Sequence, residues 1–273
     1  MRPETPFHPA FNHGEPPMHD LANQPTLDFG DHSPGQGQAQ LTNMALCLKT
    51  LIDCRESDNP SARMGIFHGF SGYGKTVAAA FSAARTGAAY IQAQELWTRK
   101  TLLDVLAAEL GIARPKRVAA DLLRQIIEQL NRQPVDLIVD EMDYLANKGL
   151  VNTLRDIHDG TNIAILMIGE EALPAKLKAW ERFDNRIVST TAALPASQDD
   201  AIKLRDHYCH RIRIADDLTE LFRVRCRGVT RRIVNNLQHA QKLAAEEGAD
   251  HVDVAWWGDR PVRTGDVITR KAA

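Results

Sequence analysis

The apolar and polar positions of the chain divide into short apolar runs separated by longer stretches with helical spacing. From Gln38 to about Arg55, Leu41, Ala45, Leu48 and Ile52 recur at helical intervals, which predicts a helix ending before the turn Asp58-Asn59-Pro60-Ser61. Met64-Gly65-Ile66-Phe67-His68 reads as a buried strand, and Val77-Ala78-Ala79-Ala80-Phe81 as the opening of a helix, with the glycine-rich stretch GFSGYGKT between them. The pattern then repeats. Ala88 to Ala93 predicts a second strand, Leu102 to Leu110 a helix, and Ala119 to Asn131 another with Leu122, Leu123, Ile126, Ile127 and Leu130 on one face. The run Val135 to Asp140 is the next strand, followed by a helix near 150–158 and the apolar run Ile163 to Ile168. Alternating strands and helices predict an α/β fold with a mostly parallel sheet covered on both faces. Beyond Leu194-Pro195 the strand-like runs stop, and 197–247 reads as helices only, a second and smaller unit.

Composition adds limits. The chain has 273 residues, 44% hydrophobic and 25% charged, as expected of a soluble globular protein with a sizeable core. No apolar run reaches the length of a membrane span, and the N-terminus MRPETPFHPAFNHGEPP lacks the apolar centre of a secretory signal, so a cytoplasmic protein without membrane contact is expected. Seven of the thirteen prolines fall within 1–37, which predicts a disordered arm. Cys47, Cys54, Cys209 and Cys226 form no C-x-x-C pair and read as thiols, so zinc is not expected. The net charge of −2 means that any nucleic-acid contact must come from local clusters.

The chemistry concentrates at two places. Gly69, Gly74, Lys75 and Thr76 satisfy G-x-x-x-x-G-K-[ST] between a strand and a helix. Glycines let successive N–H groups curl toward phosphate oxygens, and the positive end of the following helix favours the anion. The stretch Gly69, Phe70, Ser71, Gly72, Tyr73, Gly74, Lys75, Thr76 and Val77 is therefore expected to cradle ATP, with Lys75 on the β- and γ-phosphates and Thr76 on Mg2+. The second place is Leu137-Ile138-Val139-Asp140-Glu141, a strand whose acids sit at the end where open α/β sheets bind ligands. Asp140 is expected to hold the metal and Glu141 to polarise the attacking water. The next apolar run ends in Gly169-Glu170-Glu171, where Glu170 has no assigned role.

The order of these parts resembles the AAA+ family of oligomeric ATPases, and within it the transposition helpers typified by the phage Mu B protein and the TniB-like transposon ATPases. The resemblance rests on GFSGYGKT, LIVDEMDYL, NTLRDIHDGTN, ILMIGEEAL, WERFDNRI and GVTRRIVNNLQHA, spanning roughly 60–245. It implies a P-loop AAA+ core over 38–195 with its leading helix at 38–55, a small all-helical lid over 196–247, and a tail over 248–273. It also implies assembly into a ring or helical filament, nonspecific binding of double-stranded DNA, and a transposase partner. Arg186 matches the residue that reaches into a neighbouring subunit's site, with Arg182 competing for that role, and Arg231 matches the lid arginine that contacts nucleotide, with Arg232 beside it. With 1–37 read as an arm and one helix before the nucleotide strand, no counterpart of the Mu B-type helix-turn-helix module is expected before the core.

Two basic groups suit a DNA partner. Between 203 and 242 there are ten Lys or Arg against four acids, and Arg99, Lys100, Arg114, Lys116 and Arg117 flank the helix after the second strand. By the resemblance Arg99 and Lys100 are the first candidates for phosphate contacts. A solvated helix face accounts for the same residues. A secretion-associated ATPase resembling the ExeA group, or a nonhydrolysing nucleotide switch, would carry the same phosphate loop.

Overall fold

The structure is a computed structural model that describes residues 41–265; the expected arm at 1–37 lies outside the described residues. Helix α1 (Thr42–Arg55) leads into β1 (Met64–His68), α2 (Lys75–Thr86) and β2 (Ala89–Gln92). Helices α3 (Arg99–Glu109) and α4 (Ala119–Arg132) connect β2 to β3 (Leu137–Asp140). Short α5 (Met142–Asn147) and α6 (Val151–Thr161) precede β4 (Ile165–Gly169), and α7 (Leu173–Lys178) and α8 (Glu181–Asp184) precede β5 (Ile187–Ala192).

These strands form one sheet in the order β2-β3-β4-β1-β5, with every neighbouring pair parallel. The inner strands β3 and β4 are fully buried, and β1 nearly so, because helices cover both faces, and the period of two sorts their side chains. Ile66, Val139, Ile165 and Met167 enter the core built by α3 to α8. Phe67, Ile138, Leu166 and Ile168 enter the core shared with α1 and α2. Leaving β1 the chain runs outward to β2, whereas leaving β4 it hops over β1 to β5. The reversal opens a crevice beyond the C-terminal ends of β1 and its neighbours.

The C-terminal unit has its own core. Helix α9 (Gln198–Tyr208) starts with a capping box in which Ser197 and Asp200 satisfy each other's backbone N–H. Strand β6 (Arg213–Ile214), α10 (Asp216–Arg225) and α11 (Thr230–Glu247) follow, then β7 (His251–Val252) and α12 (Val254–Trp257). The expectation of helices alone needs correction here, because β6 and β7 pair in parallel. Strands of two residues offer no periodicity to read. Residues expected as a tail complete this core: Trp257 is buried edge-on against Phe222, with ring centroids 4.9 Å apart. Among the described residues no helix is long and apolar enough to cross a membrane.

Candidate nucleotide site

The turn after β1 is held open by backbone that only glycine adopts easily. Gly72 and Gly74 lie at φ +85° and +80°, and Gly74 caps α2 so that Lys75 becomes its first residue. The Lys75 ammonium donates to the Gly69 and Phe70 carbonyls at 2.7 and 3.0 Å, filling the bowl of the loop with its own charge. Burial pushes its pKa down, against the pull of Glu141, Asp140, Glu170 and Asp143.

Those four acids come from two adjacent strand ends. Asp140, the last residue of β3, is 2% exposed. Its Oδ1 accepts the Glu141 N–H at 2.8 Å, its Oδ2 accepts the Tyr90 hydroxyl at 3.1 Å, and the Thr76 side chain is within hydrogen-bonding reach. Burial nevertheless raises its pKa. Glu141 caps α5 in the left-handed region at φ 54°, a conformation costing a non-glycine residue about 1–3 kcal/mol. Burial and the Asp140 charge also push the Glu141 carboxyl up.

Asp143 is an acid that the sequence reading did not single out. Its Oδ2 accepts the Glu170 N–H at 2.7 Å, and its Oδ1 pairs with the Lys176 ammonium at 2.7 Å. Gly169 admits this packing, since a Cβ there would lie 2.3 Å from Asp143 Oδ2. Asp143 therefore anchors the backbone at the end of β4, next to the exposed Glu170, whose charge helps hold the Lys75 pKa up.

Thr76 and Asp140 together are hard oxygen donors at the mouth of a phosphate-binding turn. That set fits Mg2+, which takes one or two protein oxygens and completes its shell with phosphate oxygens and water. Among the described residues no cluster of three His, Cys, Asp or Glu makes an all-protein metal cage.

The C-terminal unit closes over the same turn. The Arg231 N–H donates to the Gly72 carbonyl at 3.2 Å, and a Cβ on Gly72 would sit 2.7 Å from Val229 Cγ1. Arg231 is exposed and Arg232 half-buried. Asn43, which the sequence pattern left unnoticed, ties three segments together. Its amide donates to the Tyr73 and Leu194 carbonyls at 2.9 and 2.8 Å, and its Oδ1 accepts the Leu194 N–H at 2.9 Å. Beside it Asp200 accepts the Thr42 backbone N–H at 2.8 Å as well as the Thr42 hydroxyl.

The remaining candidates lie elsewhere. Arg186 sits at the opposite end of the sheet, where its carbonyl accepts the N–H of Met64, the first residue of β1. Its guanidinium makes a bidentate pair with Asp159 at 2.5 and 2.6 Å and also donates to the Arg182 carbonyl. Arg182 is exposed and forms no ion pair among the described residues. Lys100 pairs with Asp104 one helical turn on, whereas Arg99, Arg114, Lys116 and Arg117 are exposed without ion pairs among the described residues. The loop carrying the last three is clamped by Gln125, which accepts the Lys116 N–H at 2.9 Å and donates to the Arg114 carbonyl at 3.0 Å.

Comparison with known proteins agrees with this geometry. Residues 58–177 match the AAA domain family AAA_22. Comparison with curated proteins gives no match. Among solved structures, the Aeropyrum pernix ORC2 protein in ADPNP–ADP complexes is similar at TM-score 0.63 and 17% identity, over 81% of this chain and 68% of that one. Cdc6p from Pyrobaculum aerophilum gives TM-score 0.61 at 17% identity, over 81% and 66%. The Aeropyrum pernix ORC1 protein in complex with DNA gives 0.57 at 17%, over 79% and 63%. The chain thus spans about two thirds of the length of these proteins. Sheet order, phosphate-loop geometry and these likenesses agree that the chain carries the α/β fold of a P-loop AAA+ ATPase core.

Proposed function

We propose that the protein is an ATP-dependent, DNA-binding AAA+ ATPase that assembles on target DNA and activates or directs a transposase. The observation that carries the ATPase part is the meeting of Lys75, Thr76, Asp140 and Glu141 around one glycine-built turn. Lys75 exchanges its two loop carbonyls for the β- and γ-phosphate oxygens. Thr76 and Asp140 hold the metal of the nucleotide complex, which supplies charge neutralisation on the phosphates. Glu141 orients the attacking water and accepts its proton. Arg231, whose backbone already touches Gly72, lets the C-terminal unit respond to what the loop holds.

The transferring phosphoryl group also needs a cation on its far side. The Arg182–Arg186 segment lies a strand length away, about 16 Å at ~3.3 Å per residue, so an arginine from it acts only on the site of a neighbouring copy. Arg186 is the residue the motif singles out, yet Asp159 already holds it. Arg182 has no ion pair to break among the described residues. Nucleotide at the interface then favours assembly, because a ligand shifts an equilibrium by its differential affinity for the two states.

The DNA part is supported by the exposed Arg99, Arg114, Lys116 and Arg117, which make no ion pairs among the described residues, and by the likeness to a protein solved in complex with DNA. The transposase part rests on the sequence resemblance. The test is ATPase rate with and without duplex DNA across protein concentration. Stimulation by DNA, with a rate rising faster than protein concentration, supports the reading; a rate proportional to protein and indifferent to DNA contradicts it. Binding should also weaken with salt along a slope of about −0.9 per phosphate contact. Replacing Arg99 should flatten that slope, whereas replacing Lys100, which Asp104 neutralises, should change it less.

A further inference from the structure

Tyr90 stands on β2, the outer strand of the sheet, and pairs in register with Ile138. Parallel partners turn their side chains to the same face, so Tyr90 shares its face with Ile138 and, two residues on, with Asp140. The ring packs at the border of the core that holds Phe67, Ala78 and Ile138. That packing needs only an aromatic ring. The hydroxyl does something else: it donates to Asp140 Oδ2 at 3.1 Å while the Glu141 N–H donates to Oδ1 at 2.8 Å.

Two donors on opposite oxygens fix the plane of a carboxylate that is 2% exposed and has little water to orient it otherwise. The chemical nature of the donor matters as much as its place. A lysine or arginine at this position would neutralise Asp140 and compete with a metal for it. A phenol is neutral at physiological pH, so it orients the carboxylate and leaves its negative charge available. The effect extends one residue further, because the same carboxylate receives the N–H of Glu141, whose left-handed backbone needs holding.

We propose that Tyr90 is a positioning residue of the nucleotide site, acting through Asp140: its hydroxyl sets the carboxylate so that its remaining lone-pair directions face the metal of the bound nucleotide. The proposal rests on the Mg-nucleotide reading given above. It predicts a defect confined to what depends on the metal.

The test compares the wild type with Tyr90→Phe, at a temperature where circular dichroism shows both folded, using a fluorescent ATP analogue and titrated magnesium. With EDTA present, nucleotide affinity should agree within about twofold between the two proteins. The magnesium concentration giving half of the metal-dependent gain in affinity should rise about five- to tenfold in the variant. Mn2+ in place of Mg2+ should give an altered electron paramagnetic resonance spectrum for the variant's nucleotide complex. An equal loss of affinity with and without metal would reduce Tyr90 to packing and overturn the proposal, as would an unchanged magnesium requirement. A wild type whose nucleotide affinity ignores magnesium would overturn the site reading itself, and that outcome is visible without the variant.

Discussion

The two ends of the sheet treat charge in opposite ways. Beyond the C-terminal strand ends, Asp140, Glu141, Asp143 and Glu170 gather with Lys75 and Lys176 as their cations, and Lys75 spends its hydrogen bonds on loop carbonyls. At the N-terminal end, the Arg186 guanidinium and the Asp159 carboxylate neutralise each other in a bidentate pair that holds the Asp159 pKa down. One end gathers more acids than cations around the phosphate loop. At the other, the Arg186–Asp159 pair is closed on itself, while Arg182 is exposed and makes no ion pair among the described residues. Under the function proposed above, the difference teaches that the site is completed from outside the chain, by nucleotide first and then by the far end of another copy.

The most severe way to break this picture is to remove the free cation. Arg182→Ala should lower the assembled ATPase rate by about 10³-fold or more, the scale of an arginine finger, while nucleotide affinity of the dilute chain stays unchanged. A larger loss from Arg186→Ala would show that the Asp159 pair opens on assembly. Next in size, Glu141→Gln should cost about 10²–10⁴-fold in rate, as expected for loss of a general base, and leave a persistent ATP-bound assembly measurable by light scattering. A variant that disassembles at the wild-type pace would fit a nonhydrolysing switch.

A smaller effect sharpens the comparison at the phosphate-loop end, where Asp200 ties α1 to the C-terminal unit. Burial raises its carboxyl, but the Thr42 and Ser197 hydrogen bonds outweigh burial and leave its pKa below the ordinary 3.8. A depressed folded pKa gives stability that is fully present above the unfolded value and lost as pH falls through the folded one. Asp200→Asn should therefore destabilise by about 1–3 kcal/mol at pH 7, and the gap in thermal midpoint to the wild type should close below about pH 4. The smallest effect belongs to Asp159→Asn, which should cost about 0.5–1 kcal/mol in denaturant unfolding because the pair is partly exposed. Its ATPase rate should be unchanged if Arg182 alone serves the neighbour.

Periodicity made the sheet legible. Strands β1 to β4 and the helices α1, α3, α4 and α6 follow apolar spacing, whereas β5, IVSTTA and only half-buried, is not read as a strand; the phosphate loop declares itself because glycine, lysine and threonine are adjacent in the chain. The contacts that escaped have a common cause. Tyr90 meets Asp140 across 50 residues, Asn43 meets Leu194 across 151, and Arg186 meets Asp159 across 27. Contacts of that range depend on strand order and register, which no local pattern encodes. Helices α5, α7 and α8, six residues or fewer, are too short to show a helical period.

The central claim is that a site is shared between two copies, and mixing two crippled chains tests it most directly. Glu141→Gln lacks the base but keeps the arginine; Arg182→Ala lacks the arginine but keeps the base. Combined on duplex DNA with Mg-ATP, they should recover ATPase activity well above the sum of the two alone, because interfaces pairing one intact half from each are complete. No recovery, with both variants still binding nucleotide and co-assembling, would contradict a site completed in trans.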